Sequence, residues 1–387
     1  MLTLENPLAL YLPRLLAFGP GMLDRLATDG LAGPAGTRLL LVSDPAIDTA
    51  AIEQSLADRG LHITRFAAPR REPEMSDVRT AAAFAKEHKI QAVAGIGGGS
   101  AMDLAKLVAI LGDPHSTLDI KAIAGIDKVP GRTLPLLCIP TTAGTGSEVS
   151  PNAIVLDEEQ NLKVGVISRH LVPDAAYVDP LLTLSVPPAV TASTGIDALT
   201  HCIEAYTSKF AHPVIDLYAL QGIRLIAANL RRVMENPSDL PGRSALLLGS
   251  LYGGICLGPV NTGAVHALAY PLGSVYHVPH GISNALLLAA VMEFNLPSAL
   301  DRYAEVAIAL GAPRHGSLEQ TARGGIEAIR WLMETCGIPR TLAALNIPAD
   351  ALPAMASAAM KVTRLLDRNI RPVAYEDAVA IYKKVLA

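Results

Sequence analysis

The stretch Ala92-Val-Ala-Gly-Ile-Gly-Gly-Gly-Ser-Ala-Met-Asp-Leu-Ala-Lys106 decides how this chain folds. Ala92 to Ile96 is a short apolar run that passes directly into Gly97-Gly98-Gly99, and Ser100 to Leu111 carries a helical period. A strand that turns through glycine into a helix is half of a parallel β-α-β crossover. The pattern repeats on either side. Upstream, Arg38 to Ser43 (RLLLVS) is a strand that turns at Asp44-Pro45, Ile47 to Arg59 a helix, Leu61 to Ala67 a strand and Val78 to His88 an Ala-rich helix. Downstream, Leu134 to Ile139 is the next strand, ending at Pro140. Strands and helices in alternation predict an α/β half built on a parallel sheet covered on both faces.

Beyond Pro187-Pro188 the β-branched runs give way to long Ala- and Leu-rich periods such as Asp216 to Val233 and Leu300 to Leu310. The second half reads as all-helical. The boundary falls between residues 183 and 188, giving an α/β domain over 1–186 and a helical domain over 187–387, with a ligand site expected in the cleft between them. The chain has no internal repeat and no low-complexity tract.

Composition narrows the function. Half of the 387 residues are apolar, ample for a large core, and the formal charge is only −4. No basic run or aromatic-rich basic face is present, so neither nucleic acid nor an anionic membrane is an expected partner. A small-molecule role remains. The four cysteines, Cys138, Cys202, Cys256 and Cys336, are far apart in apolar segments and read as reduced core residues. The N-terminus carries Glu5 and Arg14 among apolar residues and lacks the pattern of a signal peptide, so a reducing cytoplasm is the expected home. No apolar run reaches the length of a membrane span.

Two loops carry phosphate-binding chemistry. Gly98, Gly99 and Ser100 lie between strand and helix, where backbone amides and the helix dipole can face a pyrophosphate; a plain tight turn explains them equally well. The segment from Pro140 to Glu148 follows another strand and offers the hydroxyls of Thr141, Thr142, Thr145 and Ser147. Hydroxyl-rich turns at two strand ends favour one shared anionic ligand. Asp44, at the end of a strand, can accept from a ribose and repel a 2′-phosphate, which favours NAD over NADP. Asp before Pro is also an ordinary turn residue.

A different chemistry sits in the helical half. Asp197 and His201 are four residues apart on one helix face. His266 lies in a segment that reads as a helix ending at Pro271 and Gly273, and His280 stands just before a helix from Ile282 to Met292. One carboxylate and three imidazoles fill most of a divalent metal's coordination sphere. Any one of the ten histidines is more often a surface or satisfied core residue, so the combination carries the reading.

These residues give the chain a family resemblance. The stretches GIGGGSAMDLAK (95–106), PTTAGTGSEV (140–149), PDAAYVDP (173–180), TGIDALTHCIEAYTS (194–208), VHALAYPLG (265–273) and VPHG (278–281), with the tail RNIRPVAYEDAVAIY (368–382), resemble the iron-containing (group III) alcohol dehydrogenases. The resemblance implies the dehydroquinate synthase-like fold of that family: a dinucleotide-binding α/β domain, an all-helical domain, and a metal held by Asp197, His201, His266 and His280. It implies cofactor contacts at Asp44, Gly98, Gly99, Ser100, Thr141, Thr142, Thr145, Lys163 and Leu182. Asp103 would face the same cleft, with a structural cap or ion-pair role weighed equally, and Ser147 belongs to the same hydroxyl loop. A homodimer or higher homo-oligomer, a small alcohol or aldehyde substrate, NAD(H) and one divalent ion, Fe(II) ahead of Zn(II), complete the implied picture.

The chain departs from the common pattern at two places. Tyr270 stands where many members carry a histidine, one turn after His266, so Tyr270 and His277 become the candidate proton carriers. Glu72-Pro73 replaces a frequent Asn-Pro pair. Such a site would stabilise an alkoxide while its hydride leaves for the nicotinamide. A hydroxyacid–oxoacid transhydrogenase, a maleylacetate reductase-like enzyme, a dehydroquinate-synthase-like lyase and a non-catalytic dinucleotide or metal protein are the competing readings. Arg368, Asn369 and Arg371 are possible substrate contacts.

Overall fold

The computed structural model describes residues 7–69 and 71–387; Glu5, used above in reading the N-terminus, lies outside them. The chain forms two compact units. One holds Tyr11–Thr142 and Gly146–Ser185; the other holds Val186–Ala387 with Ala143–Thr145 and the described residues before Tyr11.

The first unit carries strands β1 (Leu15–Phe18), β2 (Arg38–Ser43), β3 (His62–Ala67), β4 (Ala92–Gly97), β5 (Gly125–Ile126), β6 (Leu136–Pro140), β7 (Asn152–Asp157), β8 (Leu162–Ile167) and β9 (Ala175–Val178). Six of them form one sheet in the order β1-β9-β6-β4-β2-β3, every pairing parallel. Helices α1 (Ala50–Ala57), α2 (Met75–Glu87), α3 (Gly99–Leu111) and the short α4 (Ile120–Ile123) connect the strands. Alternation explains why the central strands are apolar throughout. Leu40 and Val42 of β2, Val93 of β4 and Leu136 and Cys138 of β6 enter one core, while Leu39, Leu41, Ala94, Ile96, Leu137 and Ile139 enter the other. Both faces are covered, so neither parity can be polar. Burying each such leucine contributes at most about 1.5–3 kcal/mol.

Strand order places the ligand-binding edge. The chain steps outward from β2 to β3, then returns to lay β4 on the other side of β2 and moves away through β6. The reversal between β2 and β4 is a topological switch point, where the carboxyl ends of the strands leave a crevice. Ser43-Asp44 and Gly97-Gly98-Gly99 are those ends.

Element boundaries differ from the sequence expectation for identifiable reasons. Helix α1 starts at Ala50 and not at Ile47, because Asp44 and Asp48 carboxylates accept from the backbone N–H of Ala46 and Ala50 and hold the segment in Asx turns. Helix α2 starts earlier, at Met75, since a capping box between Glu74 and Asp77 satisfies its first amides. The antiparallel β7–β8 hairpin and the three-stranded sheet β5-β8-β7 are additions that the βα alternation did not reveal.

The second unit is all-helical apart from short 3-10 turns: α5 (Pro188–Tyr206), α6 (Pro213–Glu235), α7 (Leu240–Leu257), α8 (Ala264–Tyr276), α9 (His280–Asn295), α10 (Leu300–Ala309), α11 (Leu318–Thr335), α12 (Leu352–Ala359), α13 (Thr363–Leu366) and α14 (Tyr375–Lys384). They enclose a single hydrophobic core. Helix α8 corrects the expectation that Pro271 and Gly273 end it. Pro271 lies inside the helix, which continues to a left-handed cap at His277; burial of this segment outweighs the one hydrogen bond that proline forfeits. No helix among the described residues is long and apolar enough to cross a membrane.

Candidate metal centre

Helices α5, α8 and α9 bring the four sequence-marked residues together. From Oδ1 of Asp197, the Nε2 atoms of His266, His280 and His201 lie at 3.6, 3.7 and 3.9 Å. One donor atom from each of Asp197, His201 and His266 falls within 4.8 Å of the others, and the His201 and His266 rings stack at 4.8 Å. Asp197 and His201 are consecutive turns of the buried α5, His266 is in the first turn of α8, and His280 is the first residue of α9. Close backbone approach sets that last position. A Cβ on Gly281 would come 2.3 Å from the carbonyl oxygen of Ser193, so α9 can start against α5 only with glycine after His280.

One carboxylate oxygen and three imidazole nitrogens, the atom types that ligate a divalent metal, converge here, and the surroundings orient them. Glu204, one turn beyond His201 on α5, lies with Oε2 2.5 Å from His266 Nδ1, and its Oε1 accepts from the Val265 N–H at 2.7 Å. The carboxylate accepts, so Nδ1 carries a proton and Nε2 is the nitrogen that faces the cluster, where a bound cation would replace any second proton. Burial alone would raise the Asp197 carboxyl, but His201, His280 and His266 outweigh it and hold it well below the usual range. Burial pushes His201 down to about 4, against the pull of Asp197. It opposes protonation of His266 too, yet Glu204 and Asp197 together raise that imidazole to about 9. One carboxylate and three imidazoles, mostly buried, with a carboxylate orienting one ring, fit a divalent transition metal.

The sequence-marked cofactor residues occur at the sheet's carboxyl edge. Gly97 has φ +150, and a Cβ there would lie 2.8 Å from Ala101 Cβ and 3.4 Å from Asp44 Cβ. Gly98 caps α3 beside Thr142, whose Oγ1 would be 3.6 Å from an added Cβ, and Thr141 N–H donates to the Gly97 carbonyl. Gly98, Gly99, Ser100, Thr141, Thr142 and Asp44 thus share one edge. Thr145 packs with the helical unit. Ser147 Oγ donates to Asp103 at 2.6 Å, and Ile154 N–H donates to the same carboxylate, so these two residues tie α3 to β7. Leu182 sits in the 3-10 turn Pro180–Thr183, against the core that lines β2 and β4. Lys163, almost completely buried, pairs with Glu72 at 2.6 Å; the position that departs from the common pattern thus meets a position implied to touch cofactor.

Two family models together match most of the chain. The iron-containing alcohol dehydrogenase model matches residues 13–180, and that of the Fe-containing alcohol dehydrogenase family C-terminal region matches 191–386.

The chain belongs to the iron-containing alcohol dehydrogenase family.

It is 38% identical over 387 residues to long-chain-alcohol dehydrogenase 1 of Geobacillus thermodenitrificans, covering 97% of this chain and 96% of the relative. It is 35% identical to the 1,3-propanediol dehydrogenase of Klebsiella pneumoniae, over 84% of this chain and 86% of that one. A crystal structure of a 1,3-propanediol oxidoreductase superposes with a TM-score of 0.93 at 32% identity, covering 98% of this chain and 100% of that one. Like the rest of the family, this chain is an oxidoreductase that interconverts alcohol and aldehyde.

Two members of the cluster escaped the sequence reading. Glu204 and Asn284 follow His201 and His280 by three and four residues, on the same helix faces, so the spacing that marked Asp197 and His201 could have marked them as well. Tyr270 is buried, and its hydroxyl oxygen accepts from the Arg364 guanidinium at 2.8 Å. His277 is exposed, in the left-handed cap of α8. The arginines of the tail have structural partners: Arg368 donates to the Val260 carbonyl and covers the Phe210 ring, and Arg371 donates to the Phe294 carbonyl and covers that ring. Asn369 exchanges hydrogen bonds with Asn295.

Proposed function

We propose that this chain is an NAD(H)-linked, metal-dependent dehydrogenase of a small alcohol, with Asp197, His201, His266 and His280 holding one divalent ion, Fe(II) ahead of Zn(II). The observation that carries the reading is the mostly buried convergence of three imidazole Nε2 atoms 3.6–3.9 Å from one carboxylate oxygen of Asp197, with Glu204 orienting the His266 ring. When bound, the metal supplies Lewis-acid stabilisation of the substrate oxygen. All other roles fall to the protein. Asp197 balances the ion's charge, and Glu204 keeps His266 Nε2 available. Tyr270, held by Arg364 and buried one turn from His266, carries the alcohol proton; His277, exposed at the helix end, is the second choice.

The α/β unit, residues up to about 186, holds NAD. Gly98, Gly99 and Ser100 present the α3 amides and dipole to the pyrophosphate, and Thr141, Thr142, Thr145 and Ser147 supply hydroxyls. Asp44 accepts from the adenine ribose and disfavours NADP. Asp103 reaches the cofactor through Ser147, which it orders, while Lys163 and Leu182 are further cofactor contacts. Residues 187–387 supply the metal and the substrate pocket. Four free, buried cysteines suit a reducing cytoplasm, and a homodimer or higher homo-oligomer is the proposed assembly. A panel of short alcohols, diols and hydroxy acids, assayed for NADH formation before and after chelation with parallel elemental analysis, tests the reading. Sustained NADH formation that disappears with the metal supports it; turnover without net NADH, or without any metal, refutes it.

A further inference from the structure

Arg364 differs from the other arginines of the tail in what it meets. Arg368 and Arg371 donate to backbone carbonyls and cover aromatic rings, whereas Arg364 donates through Nη2 to the hydroxyl oxygen of Tyr270 at 2.8 Å. That oxygen is neutral. Arg364 is half-buried, and among the described residues no carboxylate lies within ion-pair distance of it. The nearest acid in sequence, Asp367, is exposed. Burial and then the charge of Arg364 lower the Arg368 guanidinium, against the pull of Asp367, so two cations share this corner of the helical unit.

The corner borders the metal cluster. Helix α13, which carries Arg364, packs on α8, and Tyr270 follows His266 there by one turn, on the same face. A guanidinium that has given up part of its hydration is not balanced by one hydroxyl oxygen, which can accept only from one of its five N–H groups. The remaining donors form a planar fork suited to a carboxylate or a phosphonate. Bracing the Tyr270 ring alone would need one neutral donor and no charge.

We propose that Arg364 sets the substrate class: the alcohol or aldehyde carries an anionic group, a carboxylate or phosphonate, at the end remote from its reacting carbon, and the Arg364 guanidinium binds that group beside Tyr270. The inference rests on the dehydrogenase reading above and narrows its substrate.

The test is steady-state reduction of short-chain aldehydes by NADH with metal-loaded, full-length enzyme. The aldehydes are matched in length and end in a carboxylate, a phosphonate or a neutral carboxamide. Wild type should favour one of the anionic series over the carboxamide by about 10-fold or more in kcat/KM, and the series that gains more names the anion. Arg364→Met should shrink that preference by about 10- to 100-fold, chiefly through KM for the anionic aldehyde. Arg364→Lys keeps the charge without the fork and should fall between the two. Equal kcat/KM for charged and neutral aldehydes in wild type overturns the proposal. So does an Arg364→Met enzyme that loses the same factor on both, which would leave Arg364 as a brace for Tyr270. Should Arg364→Met fail to fold by circular dichroism, Arg364→Lys decides, and an undiminished preference there overturns the proposal. If metal-loaded wild type reduces none of the aldehydes, the dehydrogenase reading itself fails; reduction without preference for charge sinks this inference alone.

Discussion

At the scale of single residues, the Glu204 carboxylate orients the ring of His266. Glu204 decides which nitrogen of His266 carries a proton, so Glu204→Gln should leave the fold intact while weakening metal affinity by about 10- to 100-fold. Equilibrium dialysis with elemental analysis reads this directly. Wild-type affinity in Glu204→Gln would mean that the Nδ1 proton is fixed by other means. Tyr270 answers a different question. Tyr270→Phe keeps the buried ring and removes only the hydroxyl that Arg364 holds, so kcat should fall by about 10- to 100-fold with metal content unchanged. An unaltered kcat and pH profile would reduce Tyr270 to packing and move the proton to His277 or to water.

At the scale of elements, helix ends are placed by backbone contacts that tolerate no side chain. Gly281→Ala would push a methyl into the Ser193 carbonyl at 2.3 Å, forcing α9 away from α5. The expected cost is about 1–3 kcal/mol, seen as a lower Tm, together with reduced metal retention because His280 begins that helix. A stable variant with full metal content would show that His280 contributes little. Asp44 makes a comparable test at the end of β2. Asp44→Gly should relax the preference for NAD over NADP in steady-state kinetics, and an unchanged ratio would leave Asp44 as the Asx-turn residue that its bond to Ala46 N–H already makes it. The βα alternation and the helical second half were legible because hydrophobic period is a local property of the chain. Leu39 to Val42 are apolar at both parities since each face of β2 meets its own core. Boundaries were less legible: α1 is delayed by Asx turns, and Pro271 stays inside α8 because tertiary burial overrides its local signal. The hairpin β7–β8 has the turn residues Asp157 and Asn161, with Asn161 at φ 49, but alternation of strand and helix elsewhere masked it. At the site, ligand types and the four-residue spacing were readable. Pairs distant in sequence, such as Glu204 with His266, Glu72 with Lys163 and Arg364 with Tyr270, were not, since nothing local announces a partner 62, 91 or 94 residues away.

At the scale of the whole molecule, buried ionisable groups away from the metal couple stability to pH. Burial raises the Glu148 carboxyl to about 7, against its own backbone N–H and Lys106. A carboxyl raised above its unfolded value gives stability that is complete below the unfolded pKa and is lost as pH rises through the folded one. Between about pH 4.5 and 7, wild type should therefore lose stability relative to Glu148→Gln, and the variant should melt higher at pH 8. Parallel Tm profiles of the two proteins would show that Glu148 is ionised in the fold throughout. The central claim is that one ion at Asp197, His201, His266 and His280 is required for NAD-linked alcohol oxidation. Its most direct test is anaerobic titration of chelator-stripped enzyme with Fe(II), following bound metal and the rate of NADH formation together. Activity should rise from near zero in proportion to occupancy and stop at one ion per chain, with no recovery in His266→Ala; full activity before any ion is added would contradict the claim.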